Sequence, residues 1–238
     1  MRRSHFFEYN FFGKNAIAAS ATAQGDWGKT ITSTSGNGTV AGSASGLKFT
    51  MSNDNEAQNL CASFGDVLSF DIDELRWIEF AVSVDAVLAA ASKLRFGLAS
   101  ARADDPDAIA ASIFFGINGD ASTTAVIAEC DDGTNEVAAT ATGLVLPANA
   151  LKRFRIDLAE GTLTQSPPSS SLGGKANVIL SGEDATASRV LKRVLPNTRF
   201  NMAAYSSGLQ PYMQLQKTAS TNAVNAYLRQ VRGEYLIR

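Results

Sequence analysis

Apolar and polar residues alternate along much of this chain, and the alternation is clearest between Trp77 and Ser100. The apolar positions of a first segment are Ile78, Phe80, Val82 and Val84, and those of a second are Leu94, Phe96 and Leu98. A period of two predicts strands that bury one face. We therefore expect two central strands that pair with each other. Gly97 interrupts the polar face of the second strand, which indicates either a β-bulge or a close approach of another backbone.

Similar short segments recur along the rest of the chain, separated by turns rich in Gly, Asn and Asp. The turn dipeptides Asn37-Gly38 and Asp132-Gly133 are typical of β-hairpins. Helical periodicity is almost lacking, and the last segment, 226–237, also alternates as a strand does. This spacing predicts an all-β antiparallel sandwich or barrel.

We predict a single β-sandwich domain over residues 17–238, preceded by an extended N-terminal arm over residues 1–16. Within the domain, the segment 161–175 reads GTLTQSPPSSSLGGK. Its Pro, Ser and Gly residues cannot build a core, so we predict a flexible insertion between strands rather than a domain boundary.

The predicted arm carries an unusual density of aromatic and basic residues. They are Arg2, Arg3, Phe6, Phe7, Tyr9, Phe11 and Phe12. So much apolar surface does not stay in water, so the arm either caps the domain's own core or docks on a neighbouring subunit. Aromatic residues and arginine dominate binding energies at interfaces. We therefore predict these residues as partner-binding.

Composition narrows the possible functions. The 238 residues carry a net charge of −2, and only 18% of them are charged, so no basic field favours nucleic acid as a partner. No apolar run approaches the ~20 residues of a membrane span, so no membrane partner is expected. The N-terminus lacks the apolar region of a signal peptide, so we expect synthesis in the cytoplasm. Cys61 and Cys130 are predicted as buried free thiols.

Two stretches carry a resemblance to a known family. Phe96-Gly97-Leu98 and Phe154-Arg155-Ile156-Asp157, together with the order of the strands around them, resemble concanavalin A-like (lectin/glucanase) jelly-roll virion proteins of tailed bacteriophages. The resemblance extends over about residues 25–235. It departs from the family at 161–175, where members run straight on into a hairpin. It implies an antiparallel jelly-roll β-sandwich.

Within that family the resemblance is strongest to a capsid decoration, or cement, protein. It implies a non-enzymatic structural protein of the virion, made in the host cytoplasm, that binds the major capsid protein at the capsid surface as a homo-oligomer, a dimer or trimer. The alternative is a carbohydrate-binding or adhesion module of a phage tail or fibre. That alternative predicts exposed aromatic residues on a concave sheet face, with Trp77, Tyr205 and Tyr212 as candidates.

Catalytic and metal-binding patterns are sparse. The single histidine, His5, lies in the predicted arm and has no nucleophile pattern around it. Glucanases of this fold carry Glu-x-Asp-x-x-Glu on one strand, and the nearest match, 71–74, lacks both glutamates of that pattern. Acidic loops at 104–107 and 131–132 are compatible with calcium but are more typical of solvated turns. We predict no enzymatic activity, no metal and no cofactor.

Overall fold

The computed structural model describes residues 3–13, 17–19, 27–67, 70–158, 175–184, 190–194 and 199–237. Within these ranges the chain forms two eight-stranded sheets, A and B, in which all pairs of strands are antiparallel. The predicted insertion at 161–175 lies outside the described residues, apart from Lys175.

Sheet A is organised around one long strand. From edge to edge it contains β14 (Leu191–Arg193), β13 (Ile179–Glu183), β12 (Lys152–Asp157), β7 (Leu75–Val84), β16 (Asn225–Ile237), β4 (Gly46–Thr50) and β3 (Thr39–Ser43). Strand β16 pairs with β7 along one side. Along its other side it pairs first with β4 and then with β1 (Arg3–Asn10), so β1 continues the line of β4.

Sheet B contains, from edge to edge, β11 (Glu136–Val145), β10 (Ala125–Asp131), β9 (Ser112–Asn118), β8 (Ser92–Ala99), β15 (Gly208–Ser220), β5 (Glu56–Ser63) and β2 (Gly28–Ser33). The short strand β6 (Phe70–Asp71) also pairs with β15. Strands β9, β10 and β11 form a three-stranded antiparallel meander, in which Asp132-Gly133 lies in the turn between β10 and β11. The predicted final strand is confirmed as β16.

Four phenylalanines join the two sheets at the centre of the core. Phe80 and Phe154 come from sheet A, and Phe96 and Phe115 come from sheet B. The ring of Phe154 lies 4.9 Å from that of Phe96 and 5.2 Å from that of Phe115, measured between centroids. The inward positions predicted for β7 and β8 are confirmed. Their expected pairing is wrong, because β7 and β8 lie in different sheets and meet face to face through side chains.

The predicted N-terminal arm is part of the sandwich. Residues 3–10 form strand β1, whose backbone pairs with β16 from Arg3↔Ile237 to Asn10↔Gln230. Three aromatic side chains of β1 and the residue after it join an aromatic cluster at one end of the core: Phe7 on Phe70, Tyr9 on Phe64 and Phe11 on Trp27. The domain boundary predicted at residue 16 is therefore wrong, because burial of these rings and eight backbone pairings hold β1 in the sheet.

Gly97 lies where two neighbouring strands approach closely. Its φ is +151°, and a Cβ atom added there would lie only 2.0 Å from the carbonyl oxygen of Ile113. The pairing of β8 with β9 runs without a register shift. Of the two alternatives predicted for Gly97, the close backbone approach is therefore confirmed, and a bulge is not present.

Gly97→Ala is expected to lower the free energy of unfolding by at least about 3 kcal/mol, because β9 must move away or the backbone must change conformation. The matched control is Gly133→Ala, which has φ +83° and no atom nearer than 3.5 Å to the added Cβ. The control is expected to cost only about 1 kcal/mol of backbone strain. Urea unfolding followed by tryptophan fluorescence measures the free energy of unfolding of both variants. Equal decreases would contradict the conclusion that the Ile113 carbonyl excludes a side chain at Gly97.

Candidate functional site: a cavity on the outer face of sheet B

A loop between β8 and β9 covers part of the outer face of sheet B. It contains a 3-10 helix, Pro106–Ala108, and it is held by side chains that rise from the sheet. Tyr212 Oη donates to the carbonyl oxygen of Ala103 at 3.1 Å, and Gln214 Nε2 donates to the carbonyls of Ala103 and Asp104, also at 3.1 Å. The loop predicted as a solvated surface segment is thus a fixed wall on the sheet.

A cavity of about 320 Å³ lies between this wall and strands β8 to β11. It is lined by Lys93, Arg95, Pro106, Asp107, Ile109, Ser112, Asn118, Glu129, Cys130, Asp131, Glu136, Val137, Ala138 and Ala139. Its volume is at the lower end of the range of about 300–1,000 Å³ that small-molecule sites occupy. The lining combines apolar side chains with charged and polar groups, which can fix the orientation of a ligand.

An ion pair forms part of the cavity floor. Arg95 Nε donates to Glu129 Oε1 at 2.5 Å, and the two side chains are only 7% and 15% exposed. Arg95 reaches Glu129 on β10 by crossing β9 at Gly116, where an added Cβ would lie 2.7 Å from Arg95 Cδ. The missing side chain of Gly116 thus provides the space that the guanidinium needs.

The surroundings of Glu129 oppose its negative charge. Burial is the largest influence and raises the pKa of the Glu129 carboxyl above its usual value. The Arg95 guanidinium lowers this pKa, and the negative charge of Asp107 raises it. The effect of burial on the pKa is the larger one, so the Glu129 carboxyl is a weaker acid than an exposed glutamate.

Three further carboxylates line the cavity: Asp107, Asp131 and Glu136. None of them forms an ion pair with another residue in the described ranges. Asp131 and Glu136 are direct cross-strand partners of β10 and β11. Like charges in such positions destabilise a sheet, so this pair costs stability rather than adding to it.

Sequence reasoning missed Glu129 and Asp131 as site residues. They show the first two positions of the Glu-x-Asp-x-x-Glu pattern, but Thr134 occupies the third acidic position. The Glu-x-Asp spacing of Glu129 and Asp131 could have identified both as site residues from the sequence. The match considered instead, 71–74, lies at a turn between β6 and β7, where Asp73 pairs with Lys175 at 2.9 Å. Asp71, at the end of β6, and Asp73, in the turn, are both exposed and do not line the cavity.

The predicted partner-binding residues fall into three groups. Phe6 and Phe12 are exposed, at 67% and 49%. Phe7, Tyr9 and Phe11 contact the core of their own chain. Arg2 and the side chain of Arg3 lie outside the described residues. Among the described residues of this set, Phe6 and Phe12 are therefore the ones that retain the exposure that a partner-binding role requires.

Phe6 lies beside other aromatic and arginine groups on the outer face of sheet A. Its ring centroid is 6.5 Å from that of Trp77, and the Arg155 guanidinium lies 4.2 Å above the Trp77 ring. Trp77 Nε1 donates to Glu234 Oε2 at 2.9 Å. We name this group the Trp77 patch (Phe6, Trp77, Arg155 and Glu234). It lies on the outer face of sheet A, and Phe6 is the residue that β1 contributes to it.

The three aromatic residues predicted to form a carbohydrate platform do not come together. Trp77 lies on sheet A, whereas Tyr212 is buried beneath the loop of sheet B. Tyr205 Oη donates to the carbonyl of Gly208 next to β15. The platform prediction is wrong, because the pleat and the loop place these rings on different surfaces.

The loops considered for calcium use their carboxylates locally. Asp104 accepts hydrogen bonds from Thr32 Oγ1 and from Arg102, and Asp132 accepts the backbone N–H groups of Thr134, Asn135 and Ala204. Within the described residues, no three or more His, Cys, Asp or Glu side chains form a group suited to a metal ion. No helix in that part of the chain is long and apolar enough to cross a membrane.

The two thiols and the histidine lie apart from each other. Cys61 and Cys130 are buried free thiols, as predicted, and burial raises the pKa of each to about 12. Such thiols stay protonated and unreactive at neutral pH. His5 is exposed on β1, with its ring 5.2 Å from that of Tyr235. The described structure therefore does not bring a thiol and an imidazole together.

The two stacked antiparallel sheets define a concanavalin A-like jelly-roll sandwich of the lectin and glucanase type, which confirms the predicted fold class. No protein-family model and no curated protein matches the sequence. The solved structures that share this fold do not bear on a phage origin, so the resemblance to phage virion proteins stays a prediction.

Solved structures show the same architecture at low sequence identity. A protein of unknown function from Shewanella oneidensis MR-1 has a TM-score of 0.58 and 10% identity, over 98% of this chain and 87% of that one. Apo Crh5 transglycosylase has a TM-score of 0.54 and 14% identity, over 96% of this chain and 83% of that one. The carbohydrate recognition domain of Emp47p has a TM-score of 0.52 and 12% identity, over 93% of each chain. These similarities show the fold, which a transglycosylase and a carbohydrate recognition domain share.

Arg95→Met is expected to lower the free energy of unfolding at neutral pH by about 3 kcal/mol, because Glu129 is left charged without its partner. Loss of Arg95 raises the pKa of Glu129 further above its unfolded value of 4.5. The folded state then binds more protons, so the variant loses stability as the pH rises through the raised pKa. Its deficit relative to wild type is therefore smallest below about pH 4.5.

Chemical denaturation across this pH range measures the deficit, and the control is the double variant Arg95→Met with Glu129→Gln. Removing both charges is expected to recover much of the lost stability at neutral pH. A deficit that does not change with pH, or no recovery in the double variant, would contradict the coupling of these two residues.

Proposed function

We propose that this protein binds carbohydrate, without catalysis, in the cavity on the outer face of sheet B. The observation that carries the proposal is the lining of that cavity, where carboxylates, cations and the Asn118 amide converge beside apolar walls. Sugar hydroxyl groups both donate and accept hydrogen bonds, so they match a mixture of these groups. The proposal draws further support from the fold, which a carbohydrate recognition domain and a transglycosylase share.

The absence of catalysis is part of the proposal. Hydrolysis at a glycosidic bond needs two carboxyl groups in different protonation states, one of them an acid that donates a proton. Glu129, whose pKa is raised by burial, is the candidate acid, but Arg95 bonds directly to it and lowers that pKa, which opposes a proton-donating role. Thr134 stands where the glucanase pattern has its last glutamate. These features support a site that holds a sugar and leaves its bonds intact.

Ala138→Ile is expected to weaken glycan binding at least about tenfold, because it fills part of the cavity with methyl and methylene groups. Ala138 lines the cavity from the edge strand β11 and is exposed, so the fold tolerates the change. The matched control is Ala141→Ile, an exposed position on the same strand that does not line the cavity.

A glycan array identifies ligands of the wild type, and isothermal titration calorimetry compares the two variants with it. Equal binding by Ala138→Ile and Ala141→Ile would place the ligand elsewhere on the surface. The lack of any glycan ligand for the wild type, with folding intact, would overturn the proposed function.

A second candidate is the capsid decoration protein of a phage, with the major capsid protein as its partner and a homo-oligomer as its form. The observation that favours it is the Trp77 patch together with Phe12, where the exposed rings of Phe6 and Phe12 lie beside half-buried aromatic and arginine side chains. Exposed groups of this type act as anchors at protein interfaces. Enzymatic activity and a cofactor are not part of this candidate, and its location would be the capsid surface.

Phe6→Ser combined with Phe12→Ser is expected to reduce attachment to capsids assembled from the capsid protein of the same genome by at least about tenfold. Substitution is the right test here, because deletion of residues 1–12 would also remove strand β1 from sheet A. Val87→Ser, at an exposed apolar residue on a loop, is the matched control. Cosedimentation and electron microscopy measure occupancy, and unchanged occupancy would exclude this surface as the attachment site.

A further inference from the structure

The charges that line the cavity are not balanced. Four carboxylates face two cations, so the lining carries two negative charges in excess. Arg95 is committed to Glu129. Lys93 is the other cation, and it forms no ion pair with any residue that the structure describes. Among the residues that the structure describes, Asp107, Asp131 and Glu136 have no partner cation at ion-pair distance.

The arrangement of these carboxylates is costly without a ligand. Asp131 and Glu136 oppose each other across β10 and β11, where side chains lie about 5 Å apart. Asp107 closes the cavity from the loop, and its charge already disfavours ionisation of Glu129. A positive ligand group in the cavity would relieve this repulsion, because it would interact favourably with all of these groups at once.

A second observation points to a ligand that also has hydroxyl groups. Ser112 lies directly opposite Asp131 on β9 and is only 6% exposed. Its hydroxyl lines the cavity and has no hydrogen-bond partner among the described residues. Asn118 uses its Oδ1 to accept the Asp120 N–H, and its Nδ2 is likewise unpartnered within the described structure. Both side chains line the cavity, and neither the Ser112 hydroxyl nor the Asn118 Nδ2 is sealed off from it, so both are available to a polar ligand.

We propose that the cavity selects sugars that carry a primary ammonium group, that is, amino sugars, over neutral sugars and uronic acids. This inference rests on the proposed carbohydrate-binding function. The ammonium has three donors and no acceptor, which suits Asp131, Glu136 and Asp107. The ring hydroxyls then meet Ser112 and Asn118. A uronic acid would instead add a further negative charge to the cavity, and electrostatic repulsion opposes its binding.

The test compares four tetrasaccharides by calorimetry with the full chain at about pH 5.5, where both the amines of amino sugars, which are weaker bases than alkylamines, and exposed carboxyls are charged. They are a glucosamine oligomer, its N-acetylated form, a glucose oligomer and a galacturonate oligomer. We expect the glucosamine oligomer to bind at least about tenfold more tightly than the N-acetylated and glucose oligomers, and the galacturonate oligomer to bind weakest. In about 0.5 M NaCl this preference is expected to shrink.

Two isosteric variants locate the preference. Asp107→Asn and Glu136→Gln are each expected to lower the ratio of glucosamine affinity to glucose affinity about threefold to tenfold. The matched control is Glu8→Gln, which removes one negative charge from strand β1 on the opposite sheet and should leave the ratio unchanged. A ratio that does not respond to the cavity variants would overturn the inference.

The outcomes separate this inference from the function on which it rests. If no tetrasaccharide binds, the proposed function itself fails. If the neutral oligomers bind as tightly as the glucosamine oligomer, carbohydrate binding stands and the selection for amino sugars is overturned. Spermidine serves as a probe with amines and no sugar ring. Competition by spermidine at the same affinity would also overturn the inference, because the cavity would then recognise charge alone.

Discussion

The contact between four phenylalanines at the centre of the sandwich determines which surfaces the protein offers. Phe80 and Phe154 of sheet A pack on Phe96 and Phe115 of sheet B, and each is completely buried. Because strands have a period of two, fixing these inward residues also fixes their neighbours outward. Arg95 therefore points to the outer face of sheet B as a consequence of the core. The cavity is thus positioned by packing on the other side of the same strands.

Much of the fold could be predicted from local pattern, and the errors concern long-range pairing. The inward faces of β7 and β8 follow from alternation alone. Which strands are neighbours depends on contacts far apart in the chain, such as the pairing of β1 with β16, whose residues lie more than 200 positions away. Alternation does not contain that information. An aromatic N-terminus therefore resembles a free arm until its partner strand is known.

The candidate site was hidden from the sequence for a related reason. Arg95 and Glu129 are 34 positions apart and meet only because Gly116 leaves space between their strands. Tyr212 is an aromatic residue of the type that stacks on sugars. In the structure, however, its hydroxyl holds the loop that forms the cavity wall. The alternation predicted an antiparallel sandwich or barrel, the resemblance predicted a concanavalin A-like one, and that fold class is confirmed. The chemistry of the site depends on a glycine and a loop, whose effects appear only in three dimensions.

The Arg95–Glu129 pair is better explained by binding than by stability. Bringing two charges out of water costs several kcal/mol, roughly as much as their attraction returns, and apolar residues of the same size are often at least as stable. The cross-strand carboxylates Asp131 and Glu136 add a further unfavourable term on the same face. A surface selected for stability alone would avoid both features. Their combination around one cavity is consistent with a site that lowers its electrostatic free energy only when a ligand supplies the complementary charge.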